Sequence, residues 1–70
     1  MTDPSRKKLG KNIQNQRKAK GLTQLELASK INISVNHLSK IERGTVNPTV
    51  DLIELIIKAL GIHSSTILPY

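Results

Sequence analysis

Apolar residues recur along this chain at helical spacing, and no segment shows the clean alternation of a strand. Leu9 and Ile13 lie four apart, so the pattern predicts a first helix from about Ser5 to Lys20. Gly21 closes it, because glycine enters a left-handed turn without a Cβ penalty. Lys18 and Lys20 fall in the last turn, where the helix dipole favours cations. Thr23-Gln24-Leu25-Glu26 then reads as a capping box opening a second helix, Gln24–Ile31, with Leu27, Ala28 and Ile31 inward. Asn32 tolerates left-handed geometry and ends it. Ser34 is the N-cap of a third helix, Val35–Arg43. Here Leu38 and Ile41 point inward, while Asn36, Ser39, Lys40 and Arg43 cluster on the opposite face and Gly44 follows. After a loop ending in Pro48, Thr49 caps a fourth helix, Val50–Leu60, with Ile53, Ile56, Ile57 and Leu60 as its core stripe and Gly61 as its stop. Ser64 and Ser65 cap one more turn through Leu68, before Pro69.

The expectation is an all-α fold, a compact bundle of four to five short helices forming a single domain over residues 1–70. Within it, residues 24–43 have the spacing of a helix-turn-helix. Ala28 is small where the two helices must cross, and Asn32 can supply the positive φ of the turn.

Composition narrows the functional classes. A chain of 70 residues leaves little room for a catalytic cleft. It shows no nucleophile–base pair, paired-carboxylate site or Gly-rich phosphate loop, so no enzyme is expected. His37 and His63 stand alone and there is no cysteine, so neither a metal site, a cofactor nor a disulfide is expected. No small-molecule ligand is evident. The longest apolar run falls far below the roughly 18 residues of a membrane span, and the N-terminus lacks an apolar signal core. A cytoplasmic, nucleoid-associated protein fits these features.

Charge points to a polyanion. The formal net charge is +6, and all of the excess lies in the first twenty residues: Arg6, Lys7, Lys8, Lys11, Arg17, Lys18 and Lys20 against Asp3. A solvated first helix is the competing reading. A single Tyr, with no Phe or Trp, argues against single-strand recognition by base stacking. Taken with the helix-turn-helix spacing of residues 24–43, double-stranded DNA is the expected partner. Asn36 can pair with adenine and Lys40 can donate to guanine; Ser39 and His37 can serve bases or phosphates, and Val35 can meet a thymine methyl. Gln24, with nearby backbone N–H groups, is placed to meet a phosphate, and Thr23, Arg43, Thr45 and Asn47 to hold the backbone. Lys11 and Arg6 to Lys8 add diffuse attraction.

Two further groups are set by periodicity. Arg17 lies on the Leu9–Ile13 side of its helix and Glu42 beside Leu38 and Ile41, so each is the other's best partner; two separate surface charges are the alternative. Leu52 and Leu55 lie off the helix-4 stripe. With Ile62, Ile67, Leu68 and Tyr70 they form more apolar surface than a small monomer should expose, which reads as a homodimer interface. The alternative is a tail that folds back over this surface within one chain.

Gly21-Leu22-Thr23-Gln24, Glu26-Leu27-Ala28, Leu38-Ser39-Lys40-Ile41-Glu42-Arg43-Gly44, Pro48 and Lys58-Ala59-Leu60-Gly61-Ile62 together resemble the Cro/phage-repressor (Xre) family over roughly residues 9–62. The resemblance implies a lambda-repressor-like bundle of about five helices that binds palindromic operators as a dimer and regulates transcription. It also implies base contacts at Val35, Asn36 and Lys40, a phosphate contact at Gln24, and a structural Arg17–Glu42 pair orienting helices 1 and 3. Leu55-Ile56-Ile57-Lys58-Ala59-Leu60 is similar to the small controller proteins of restriction–modification systems. Asn32 stands where the family usually has Gly, which costs stability rather than function. Two other readings share the sequence: a protein-interaction module such as the antitoxin of a toxin–antitoxin pair, and a charge-driven nucleoid or RNA binder.

Overall fold

Hydrogen bonds at the helix ends set the element boundaries. The computed structural model describes residues 4–68. They form α1 (Pro4–Ala19), α2 (Gln24–Lys30), α3 (Val35–Arg43), α4 (Val50–Leu60) and α5 (Ser64–Ile67), with no strand among the described residues.

Three helices open on hydroxyl caps that satisfy otherwise orphaned N–H groups. Thr23 Oγ1 accepts from Glu26 N at 3.1 Å while Glu26 Oε1 accepts from Thr23 N at 2.9 Å, completing the capping box. Ser34 Oγ accepts from His37 N at 3.0 Å and Thr49 Oγ1 from Leu52 N at 3.1 Å. The ends of α1 to α4 share one device, a left-handed residue followed by a six-to-one backbone bond. At the end of α2, Asn32 takes φ 59° and Ile33 N donates to Ala28 O at 3.0 Å. At the end of α3, Gly44 takes φ 76° and Thr45 N donates to Lys40 O at 3.0 Å. The turn between α2 and α3 is thus short and closed by backbone hydrogen bonds.

The core is built from every helix. Ile13, Leu27, Leu38, Ile41, Ile56 and Ile67 are its fully buried large side chains. Each contributes about 1.5–3 kcal/mol through removal from water.

The C-terminal third differs from expectation in three ways. First, the buried line of α4 is Leu52, Ile56 and Leu60, spaced by four, with Ile53 and Ile57 half-buried on its flank. Leu52 therefore belongs to the core and not to an interface. Second, the tail returns to the bundle. Ile67 is fully buried, its carbonyl accepts from Asn12 Nδ2 at 2.9 Å, and Ile62 and Leu68 are half-buried against the core. Of the six residues expected to form a dimer interface, only Leu55 is exposed among those described, and Tyr70 lies outside the described residues. Third, α5 is capped by His63 without a side-chain hydrogen bond, so the serines do not cap it. The exposed apolar area that suggested a large interface is mostly consumed by this fold-back.

Candidate nucleic-acid interface

α3 separates two functions by face. Leu38 and Ile41 are buried, whereas Asn36, His37, Lys40 and Arg43 are exposed, Val35 is just exposed and Ser39 is half-buried. With 3.6 residues per turn, Asn36, Lys40 and Arg43 form a continuous outward row. The ends of α3 are closed by its own cap and turn. Thr45 Oγ1 donates to Lys40 O at 3.1 Å and Arg43 Nε to Ser39 O at 3.3 Å, which ties both residues to the exit of the helix. Asn47 is exposed in the loop that follows.

α3 is held from behind by α1. Gly10 packs against the carbonyls of Ile41 and Glu42, so closely that a Cβ there would overlap Ile41 O. A glycine inside a helix costs up to about 1 kcal/mol of propensity relative to alanine; here the cost permits the backbones to touch. One turn earlier, Lys7 rests on Gly44, its Cα 2.7 Å from where a glycine Cβ would stand.

A buried charge network completes the anchor. Arg17 Nε donates to Glu42 Oε2 at 2.7 Å and Nη2 to Glu42 Oε1 at 3.1 Å, a bidentate pair. Arg17 Nη1 donates to Leu22 O at 2.8 Å. Gln24 Nε2 donates to Glu42 Oε1 at 3.0 Å. Both charges are thereby paired and largely satisfied, the condition under which buried ions are tolerated. The network joins α1, the start of α2 and the last turn of α3.

Gln24 corrects an expectation. The sequence points its amide at a phosphate, yet the side chain is half-buried and Nε2 donates to Glu42 Oε1. Sequence reasoning placed it at the right helix end and missed its partner, 18 residues away. It also gave no role to Gly10, although an isolated helical glycine is itself a sign of close packing. Lys11 is exposed, and its Nζ donates to Gln14 Oε1 at 3.3 Å. The Thr23 N–H, and then the Thr23 hydroxyl, hold the Glu26 carboxyl below its ordinary value, because both interactions favour the ionised form.

Among the described residues no group of three or more His, Cys, Asp or Glu could hold a metal ion, and no helix is long and apolar enough to cross a membrane.

A short helix with a polar outward row, braced by an apolar inner face and joined to the preceding helix by a tight left-handed turn, is the helix-turn-helix of DNA-binding transcription regulators. The helix-turn-helix family profile matches residues 13–67. The chain is 42% identical over 59 residues to the immunity repressor protein of Bacillus phage phi105, covering 84% of this chain and 41% of that protein. It is 35% identical over 71 residues to the control protein C.BamHI of Bacillus amyloliquefaciens, covering 100% of this chain and 88% of that one. Its fold superposes on the clp gene regulator ClgR of C. glutamicum with a TM-score of 0.89 at 30% identity, covering 96% and 86% of the two chains. The chain belongs to the helix-turn-helix family, of the Cro/phage-repressor (Xre) type. It spans less than half of the phage repressor and most of the controller protein.

Proposed function

We propose that this DNA-binding regulator reads a specific duplex sequence as a homodimer, with α3 in the major groove of each half-site. The observation that carries the reading is the outward row Asn36, Lys40 and Arg43, exposed on a helix whose opposite face is wholly buried. Asn36 pairs with adenine and Lys40 with guanine; Val35, His37 and Ser39 supply the neighbouring contacts. Thr23, Arg43, Thr45 and Asn47 hold phosphates on either side. Gln24 acts through Glu42, fixing the start of α2 against the last turn of α3.

A small face of α4 supports pairing. Leu55 is 47% exposed on it. Asp51 and Lys58, both exposed, lie four residues before and three after Leu55. An acid, a leucine and a base in this order are self-complementary about a two-fold axis through Leu55, since antiparallel helices bring each Asp51 toward the partner's Lys58. A dimer of this kind reads half-sites about 34 Å apart. Regulation then follows from occupancy of the operator in the cytoplasm, without catalysis.

Selection from a random duplex library at physiological salt tests the reading. An enriched palindrome with half-sites one turn apart is the expected result. No enrichment, with binding that only fades as salt rises, overturns it in favour of a charge-driven binder or a protein partner.

A further inference from the structure

α1 carries a charge pattern that neither the ion pair nor the recognition helix accounts for. Lys7, Lys11, Gln14 and Lys18 recur at i, i+4, i+7 and i+11, which places them in one row along the helix. The three lysines are exposed and Gln14 is half-buried. The row borders α3. Gly10, three residues after Lys7 and four before Gln14, touches the backbone of Ile41 and Glu42, and Lys7 itself lies on Gly44. The row begins beside the exit of α3 and ends in the last turn of α1, six residues before the start of α2. Between Lys7 and Lys18 it spans about 16 Å at 1.5 Å per residue.

Nothing on α1 neutralises this row. The helix has no acidic residue in any of its 16 positions. Its first turns carry cations, against the preference of the helix dipole for anions there. Arg17 is already paired with Glu42, and Arg6 is half-buried. The row has no exposed apolar neighbour to enter a membrane, since Leu9 and Ile13 are in the core. A linear polyanion running beside α3 is the ligand whose shape and charge match.

We propose that Lys7, Lys11 and Lys18 form a second phosphate-binding edge that lies along the DNA backbone flanking the groove entered by α3. The proposal rests on the duplex-reading function above. It divides the basic N-terminal segment: Lys7, Lys11 and Lys18 touch phosphates, whereas Lys8, outside the row, supplies only bulk charge. Each phosphate neutralised by a lysine steepens the dependence of affinity on salt, by about 0.9 in the log–log slope.

The test is a salt titration of the full chain with the variant Lys7→Gln/Lys11→Gln/Lys18→Gln, on the duplex enriched by selection and on a random duplex of equal length. The slope is expected to fall by about 2–3 per chain on the enriched duplex, with affinity lost equally on both duplexes at a given salt and their ratio unchanged. Lys30→Gln, which removes an exposed charge on the Leu55 side of the molecule, leaves the slope unchanged. An unaltered slope in the triple variant, with sequence preference intact, overturns this proposal alone. So does an equal loss per charge from Lys30→Gln, which would mark a bulk-charge effect. Absence of any duplex binding by the wild-type chain overturns the function on which it rests. Thermal melts of both variants confirm the folded state, since all four side chains are exposed.

Discussion

Gln24 and Glu42, the first residue of α2 and the last but one of α3, are joined directly by a side-chain hydrogen bond of 3.0 Å. The same carboxylate receives Arg17 from α1 through two nitrogens. One buried anion thus fixes the three helices whose relative placement decides where α3 projects.

Removing one partner of this network leaves a buried charge uncompensated. Arg17→Met is expected to lower stability by about 3–5 kcal/mol. The double variant Arg17→Met/Glu42→Leu recovers much of that loss, because the stranded carboxylate is gone. Urea unfolding of the two variants and the wild type measures both effects.

Gln24→Ala has a smaller effect. Glu42 keeps both Arg17 bonds, so the loss is about 1 kcal/mol, the net worth of one hydrogen bond. DNA affinity falls equally for all sequences. A change in which base pairs are preferred would show that Gln24 touches bases.

Asn36→Ala and Lys40→Ala are each expected to cost about 1–3 kcal/mol of operator binding and to relax preference at one or two base pairs. Their stabilities stay close to wild type, because both side chains are exposed. Repeating the duplex selection with each variant identifies the base pair lost.

Gly10→Ala sets helix propensity against packing. Alanine gains up to about 1 kcal/mol in a helix interior, yet its methyl would meet backbone oxygens of Ile41 and Glu42 that cannot rotate away. Overpacking of about 1–3 kcal/mol exceeds the gain. A net fall in the urea midpoint is the expected outcome, opposite in sign to the usual effect of this substitution on an exposed helix.

The capping box gives a pH dependence of known sign. The folded pKa of Glu26 is lowered from 4.5 by its bonds with Thr23. Its contribution is therefore complete above the ordinary carboxylate range and is lost as pH falls through the lower folded value. Glu26→Gln flattens that part of the acid limb of the stability curve. An acid limb identical to wild type would mean that the box adds nothing in solution.

Leu55→Asp is expected to leave a folded monomer, read by sedimentation velocity. Exchanging Asp51→Lys with Lys58→Asp in the same chain preserves the self-complementary order and the dimer, whereas either change alone weakens it.

The helices were legible where the sequence carries local signals. α3 and α4 begin and end where Ser34, Gly44, Thr49 and Gly61 place them, because caps and left-handed turns act within a few residues. Asn32 announced its positive φ in the same way. The Arg17–Glu42 contact followed from helical phase, since each charge sits on an otherwise apolar side. What escaped was decided by packing between distant segments. The inward turn of Gln24 depends on where α3 ends in space. The burial of Ile67 depends on the return of α5 to α1, which no short pattern encodes. Gly10 drew no reading from the sequence, and its reason shows only in the carbonyls of Ile41 and Glu42 packed against it.

The division of α3 into a buried half and an outward half has a consequence for change over time. Its caps use only the backbone of His37 and Lys40, and its apolar anchors and ion-paired Glu42 lie apart from the side chains of Asn36, His37 and Lys40. Substitutions at exposed positions of this kind usually alter stability by no more than about 0.5 kcal/mol. On the proposed reading, the address that the domain recognises can be rewritten by mutation while the scaffold stays untouched, and a duplicated copy can acquire a new target in single steps without passing through an unfolded intermediate.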